Sequence, residues 1–392
     1  MHSALMSTYN RLPVEFVSGS GPWLTDSRGE RYLDALSGIS VCSLGHAHPA
    51  VTAALAEQAG RLVHTSNLYK IPLQEQLAGR LCRLSGLDKV FFANSGAEAN
   101  EAAIKLCRKY AHEQGMNDPV MVVMEGSFHG RTLATVTATG NAKIKKGFAP
   151  LLEGFHHVPY GDIAALRKLT SLNIEIVAVM LEPILGEGGI VVPPRGYLRE
   201  VADLCRENGW LLVMDEIQTG MCRTGAWFAF QHEGVHPDVV TLAKALGNGV
   251  PIGACMASDT AAAAMVAGSH GSTFGGNPLA CRAALAVIDY MQDHAIAQHA
   301  AQLGQHMLSR LQSGLAGVAG VREVRGKGMM LGIELKQDCA ELAGLALQRH
   351  LLINITAGRV IRLLPPLTIS EDLADQIVDQ VCSLTIDYLS GG

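Results

Sequence analysis

Aromatic side chains are scarce in this sequence, at 5% of 392 residues, and charged residues make up only 17%. A chain that stays unfolded needs high charge and few apolar residues. Here 48% of the residues are hydrophobic, so a compact fold with a large buried area is expected. Basic residues are in no excess: 31 Lys and Arg stand against 36 Asp and Glu, a net charge of −5. Neither nucleic acid nor an anionic membrane surface is therefore an expected partner. No apolar run approaches the roughly 20 residues that a bilayer-spanning helix needs. None of the nine cysteines is spaced as CxxC, and the odd count leaves at least one thiol free. The opening Met1–Phe16 stretch has no apolar segment bracketed by basic residues and a cleavage site. Reduced thiols packed in the core of a cytoplasmic protein are the expectation. Internal repeats and low-complexity linkers are absent too.

What is present is an alternation of strand-like and helix-like pieces. Short apolar runs occur at Val120–Met124, Ile176–Leu181 and Leu211–Met214, with weaker ones at Asp238–Leu242 and Ile252–Ala257. Polar or glycine-containing turns close each run, which is how strands buried on both faces of a mostly parallel sheet read. Helical stretches follow at Ala97–Gln114, Arg195–Asn208 and Leu279–His294. The pattern predicts an α/β fold, with a large domain over 59–268 whose sheet is flanked by helices. Residues 269–392 would supply an interdomain helix and then shorter strands and helices, including Gly328–Leu335 and Val360–Leu364. Residues 1–58 read as an irregular arm, a hairpin over Trp23–Leu33 and a helix. They are expected to pack with the C-terminal part into a smaller α+β domain. Ligands of such sheets gather at the carboxyl ends of the strands, so the residues just after each run matter most.

Three strand ends carry candidate chemistry. Val90–Asn94 runs into Ser95, Gly96 and Ala97 at the mouth of a helix, where free N–H groups and the helix dipole suit a phosphate. The same residues also serve as a plain N-cap, and alone that plainer reading has the edge. Leu211–Met214 runs into Asp215, which is a metal ligand, a cofactor contact or a structural cap. Asp238–Leu242 leads to Lys244 among small and apolar neighbours. A lysine there is either a snorkelling edge residue or a deprotonated nucleophile toward a carbonyl. Asp215 and Lys244 on neighbouring strands shift the balance. A pyridine aldehyde needs a lysine to form a Schiff base and a carboxylate to hold its ring nitrogen protonated, which makes the ring an electron sink. Gln218, one turn beyond Asp215, can donate to the ring's phenolic oxygen.

At this point the sequence resembles the class III aminotransferases of pyridoxal-phosphate (PLP) fold type I, over essentially its whole length. The stretches that carry the likeness are NSGAEANEAAIKLCR from Asn94, GSFHGRT from Gly126, EPILGEGG from Glu182, DEIQTGMCRTG from Asp215, TLAKALGNGVPIGA from Thr241 and GSTFGGNP from Gly271. LGHAHP from Leu44, HTSNLY from His64 and IRLLPPL from Ile361 look like the acetylornithine aminotransferase branch of that family. The resemblance implies a PLP enzyme that passes an amino group from N2-acetyl-L-ornithine to 2-oxoglutarate, giving L-glutamate, within arginine biosynthesis. Ornithine, succinylornithine, succinyldiaminopimelate and 4-aminobutyrate aminotransferases are the rival readings, with a PLP-dependent aminomutase behind them.

Position by position, the resemblance gives Gly96 and Ala97, with Ser95 beside them, to the cofactor phosphate. Phe128 would stack on the ring, Asp215 and Gln218 would hold its nitrogen and phenolic oxygen, and Lys244 would form the Schiff base and move protons. Thr273 would reach the phosphate of the other subunit in a homodimer with shared active sites, and Ser272 would touch the amino substrate. Arg131 would grip a substrate carboxylate. Glu187 and Arg362 would form a pair that opens and closes with the substrate. No metal is expected: His46 and His48 in GHAHP lack a third ligand. Glu98, Glu101 and Lys105 read as a solvated helix face, and Glu182 as a buried strand-end carboxylate. Two positions depart from the family's pattern, Cys222 and Asn248, each where glycine is common.

Overall fold

The computed structural model describes residues 4–391; residues 1–3 and 392 of the expected terminal segments lie outside the described residues. A seven-stranded sheet runs in the spatial order Lys89–Ala93, Gly253–Ala257, Val239–Leu242, Leu211–Asp215, Ile176–Leu181, Val120–Met124, Phe155–Val158. From Val239–Leu242 to Phe155–Val158 all neighbours are parallel, and Gly253–Ala257 is antiparallel to both of its neighbours. The apolar runs read as strands are all strands of this sheet. Phe155–Val158 is an addition: it pairs on one side only, and its two histidines hide it among the apolar runs.

The pleat sorts the core. Met121, Val123, Met180 and Val213 pack with Ala102, Ala103 and Leu106 of the helix Gly96–Glu113. Val122, Met124, Val179, Leu181, Leu212 and Met214, one residue out of step, enter the larger cluster on the other face. Fully burying each such side chain contributes about 1.5–3 kcal/mol before the entropy of ordering is subtracted.

The N-terminal strands Phe16–Ser20, Trp23–Asp26 and Arg31–Asp34 are antiparallel, and Leu351–Leu352 joins them parallel to Leu33–Asp34. A third sheet has the order Val321–Lys327, Met330–Leu335, Val360–Leu363, Asn354–Thr356. The C-terminal region is more helical than expected. After Pro278–Asp293 the chain turns at Ala295, at φ 49, into the 19-residue helix Ile296–Gly314, and it ends in the 19-residue helix Glu371–Leu389. Among the described residues no helix is long and apolar enough to cross a membrane.

One turn of the DEIQTGMCRTG stretch ties these parts together. Arg223 is fully buried and pairs with no carboxylate among the described residues. It donates instead to Ser40 Oγ (3.1 Å), Ser43 Oγ (3.0 Å), the Met329 carbonyl (3.1 Å) and the Pro365 carbonyl (2.6 Å). Burial lowers its guanidinium to about 9. Cys222 beside it sits at φ 69, in the left-handed region where glycine is at ease, and its side chain fills the core.

Glu216 is buried in the same turn. It accepts from Phe230 N–H (2.9 Å) and pairs with the Thr219 hydroxyl, while burial pushes its carboxyl up to about 7 from 4.5. A carboxyl whose pKa is raised by folding binds its proton more tightly in the native state. Stability is therefore greatest below pH 4.5 as far as this group goes, and it falls as pH rises toward about 7. Each pH unit inside that window costs the fold about 1.4 kcal/mol. Glu216→Gln keeps the shape without the charge, so its unfolding free energy in urea should fall less between pH 5 and pH 7 than the wild type's. Parallel curves for the two proteins would show that Glu216 does not titrate there.

Candidate active site

Every strand on the parallel side ends at one edge, and the chemistry is there. Asp215 closes Leu211–Asp215 in register with Thr241, and Lys244 follows Val239–Leu242. Lys244 is held at φ 44, a left-handed backbone that a lysine adopts only when its surroundings impose it. Its amine makes no hydrogen bond or ion pair to another described residue. Burial pushes that amine below the usual lysine range; Glu187 opposes the shift and Arg362 adds to it. A neutral amine is both a nucleophile and a base, which a snorkelling lysine is not.

A cavity of about 360 Å³ opens over this edge. Ser95, Gly96, Ala97, Phe128, Arg131, Asp215, Gln218 and Lys244 line it, so eight of the expected site residues meet in one place. At one end the helix Gly96–Glu113 presents its first turn, whose N–H groups have no acceptor within the helix. Ser95 Oγ accepts from Glu98 N–H (3.2 Å). Glu98 is not the solvated residue expected: its Oε2 accepts from Asn94 N–H (2.6 Å) and Asn94 Nδ2 (2.9 Å), which fixes the strand-to-helix corner. A Cβ on Gly96 would strike Ile217, so the helix mouth closes onto the Asp215 turn.

Asp215 is held by groups that sequence reading missed. Its Oδ2 accepts from Asn100 Nδ2 (2.8 Å) and His129 Nδ1 (2.7 Å), and its Oδ1 from Ile217 N–H (3.1 Å). His129 Nε2 and Asn100 Oδ1 are buried without a partner. Three donors are aimed at it, and Oδ1 keeps capacity for one further donor. The signals were in the motifs: His129 directly follows Phe128, and Asn100 lies one turn into the helix that Gly96 opens. Glu182 also does more than cap a strand. It accepts from Phe128 N–H (2.9 Å) and Gly186 N–H (2.9 Å), so it joins the aromatic wall to the GEGG turn. Burial, then the nearby Asp215, raises it to about 7.

Arg362 is completely buried, with Glu187 Oε1 at 2.6 Å, Asn354 Oδ1 at 3.0 Å and Gln218 Oε1 at 3.2 Å. Its Nη2 has no acceptor. The pair lies outside the lining of the cavity itself, on the Gln218 side. Arg131 is exposed, with its guanidinium 5.6 Å from the centre of the Phe128 ring. Ser272 and Thr273 do not line the cavity. Ser272 Oγ accepts from Asn94 Nδ2 (3.2 Å) and Gly275 N–H (3.0 Å), and Thr273 is exposed. His46 is paired with Asp34 (2.7 Å), which raises its imidazole to about 9.

The family profile described as aminotransferase class-III matches residues 5–384. This chain is a class III aminotransferase. The aminotransferase is 54% identical over 387 residues to an acetylornithine aminotransferase of Nitrosomonas europaea, covering 99% of this chain and 98% of that protein. It is 49% identical to an acetylornithine aminotransferase of Methanothermobacter thermautotrophicus, over 96% and 94% of the two chains. Among solved structures, the ornithine aminotransferase of Toxoplasma gondii matches with a TM-score of 0.95 at 34% identity, over 99% of this chain and 94% of that one. The acetylornithine aminotransferase of Elizabethkingia anophelis matches with a TM-score of 0.87 at 35% identity, over 97% and 96%. The aminotransferase uses PLP, the cofactor of its family. The donor set fits that group: a helix mouth for a phosphate, an aromatic wall, an anchored carboxylate and a lysine whose pKa burial lowers share one cavity. When bound, PLP supplies a protonated pyridine ring that accepts electron density from the substrate carbon.

Proposed function

We propose that this aminotransferase moves the terminal amino group of N2-acetyl-L-ornithine to 2-oxoglutarate, giving N-acetyl-L-glutamate 5-semialdehyde and L-glutamate, a step of arginine biosynthesis. The likeness to acetylornithine aminotransferases over nearly the whole chain supports it. The observation that carries the substrate assignment is Arg362: a buried guanidinium, neutralised by Glu187 at 2.6 Å, with Nη2 left over beside the lysine. Paired, it presents no net charge to a methylene chain. Released from Glu187, it offers a fork to an α-carboxylate.

In this reading Lys244 carries the cofactor and then holds the proton that moves at the reacting carbon, as its depressed pKa allows. Gly96 and Ala97 give N–H groups to the phosphate beside Ser95. Phe128 would cover one ring face, Asp215 would accept from the protonated ring nitrogen and Gln218 would face the phenolic oxygen. Arg131 binds the distal carboxylate of glutamate or 2-oxoglutarate, and Ser272 faces the amino substrate. The assay that tests the reading is kcat/KM for N2-acetylornithine, ornithine and 4-aminobutyrate with 2-oxoglutarate. N2-acetylornithine should be the preferred donor. Preference for ornithine would overturn the assignment, and isomerisation without 2-oxoglutarate would make the enzyme a mutase.

Thr273 is assigned to the phosphate of a partner subunit in a homodimer. Its exposure supports this, as do the exposed Phe274 and Leu68 beside it and the bonds from Asn67 Nδ2 to the Ser272 and Gly275 carbonyls (both 3.0 Å). Lys244→Ala and Thr273→Asp should each be inactive, the second by setting a carboxylate against the phosphate. Mixed equally after unfolding and refolding, they should regain about a quarter of wild-type activity, because half the dimers are mixed and each has one intact site. No recovery, with mixed dimers demonstrated, would mean that each chain builds its own site.

A further inference from the structure

One wall of the cavity belongs to the segment that follows the short, partly left-handed turn Ser37–Ser40. Val41 lines the cavity. Around it Ser37, Gly38, Ile39, Ser40, Gly45 and Ala47 all have positive φ, and its backbone is tied to a neighbouring segment by the bridge between His46 and Gly21 (2.8 and 2.9 Å). Further pins come from elsewhere. Arg223 holds Ser40 and Ser43, Leu367 N–H donates to the Ser43 carbonyl (2.7 Å), and the Thr368 hydroxyl donates to the Leu44 carbonyl (3.2 Å). Leu367 and Thr368 pull from the C-terminal side, and Arg223 from the turn behind Asp215.

On the side of the cofactor lysine, Asn248 is the pin. Its Oδ1 accepts from Leu44 N–H at 2.8 Å, and its Nδ2 donates to the Gly45 carbonyl at 3.1 Å. Gly45 has no slack to give: at φ +85, a Cβ there would lie within 3 Å of the Gly21 backbone. The turn is therefore trapped between Gly21 and the loop after Lys244. Gly249, Val250, Pro251 and Ile252 of that loop line the same cavity as Val41. Asn248 itself is at φ 46. Glycine would take that backbone without strain, whereas asparagine accepts it at a small cost and returns a two-ended side chain.

We propose that Asn248 is a specificity-determining positioning residue: by bridging Leu44–Gly45 to the loop after Lys244, it fixes the distance between Val41 and Gly249–Ile252 and so gauges the aliphatic chain of the amino donor. The proposal rests on the reading of the enzyme as one that accepts both a long ω-amino donor and glutamate. Val41, Val250, Pro251 and Ile252 make this part of the cavity lining apolar, which suits unbranched methylenes. Glutamate is shorter, and its recognition rests on charged groups outside this part.

The test is N248G in the holoenzyme, a change that suits the backbone and removes only the clamp. For N2-acetylornithine, kcat/KM should fall about tenfold, on the scale of losing two neutral hydrogen bonds, chiefly through KM. For glutamate it should change less than about twofold, and the cofactor absorbance should be unaltered. N248D keeps an acceptor for Leu44 N–H but sets an oxygen against the Gly45 carbonyl, so its selectivity should suffer more than that of N248G. Equal losses for both substrates, or an unchanged ratio with a lowered melting temperature, would assign Asn248 to the fold alone and overturn the proposal. If the wild type itself prefers another ω-amino donor, the substrate assignment fails. The clamp is then judged by the same ratio measured with that donor.

Discussion

Asp215→Asn should lower turnover by at least about a hundredfold, on the scale of one strong electrostatic contribution, while the protein stays folded and binds PLP. The geometry explains both halves. Asn100 Nδ2 and His129 Nδ1 donate to Oδ2, and an amide oxygen in that place still accepts from them. What the amide lacks is the charge. A carboxylate beside a pyridine nitrogen favours its protonated form, and an amide does not. A merely structural Asp215 would give a different result: lower melting temperature and weaker cofactor retention, with near-normal turnover per bound PLP. Stopped-flow rates on PLP-saturated enzyme separate the two.

Arg362→Ala should split the reaction in two. The half-reaction with glutamate or 2-oxoglutarate should lose about 2–5 kcal/mol of transition-state stabilisation, as expected for truncating one side of a buried charge-assisted contact. The N2-acetylornithine half-reaction should be much less affected. Glu187 Oε1 lies 2.6 Å from the guanidinium and the Glu187 side chain is about one-third exposed, so the carboxylate has somewhere to go. The guanidinium does not, since it is completely buried and tied to Asn354 and Gln218. Glu187→Gln should act in the opposite sense, penalising the neutral chain by leaving Arg362 charged and unpaired beside it. If Arg362→Ala harms both halves equally and lowers the melting temperature, the pair is a fixed brace between the GEGG turn and the strand Val360–Leu363.

The parts of the fold that were legible are those governed by local pattern. Buried strands such as Ile176–Leu181 announce themselves as unbroken apolar runs, and the turns after three of the strands delivered candidate residues. Phe155–Val158 was not legible because an edge strand need not be apolar on both faces. Of the site, Lys244 and Asp215 could be paired from strand ends alone. Gly96 and Gln218 had candidate roles from the strand ends as well, whereas Phe128 and Arg131 needed the family resemblance; the fold brings all four to one cavity. His129 and Asn100 escaped because a single chain read in order does not reveal that two residues 29 apart point at a third. Glu98 was misjudged because helical spacing puts it on a face but does not say that its carboxylate turns back to Asn94. Asn248 was noted only as a departure, since its partners lie some two hundred residues earlier in the chain.

Arg223 has a consequence for the order in which a newly made chain becomes an enzyme. It reaches back to Ser40 and Ser43 and forward to Met329 and Pro365. The strand Arg31–Asp34 likewise waits for Leu351–Leu352. On the ribosome, synthesis proceeds at about 5–20 residues per second. The lysine and its carboxylate are therefore made many seconds before the C-terminal supports of the wall that carries Val41, the Met329 and Pro365 carbonyls that Arg223 grips and the Leu367 and Thr368 contacts, exist. A chain released short of Pro365 would keep most of its central sheet and lack a closed pocket, so retention of the yellow cofactor is in effect a proofreading mark for a finished polypeptide.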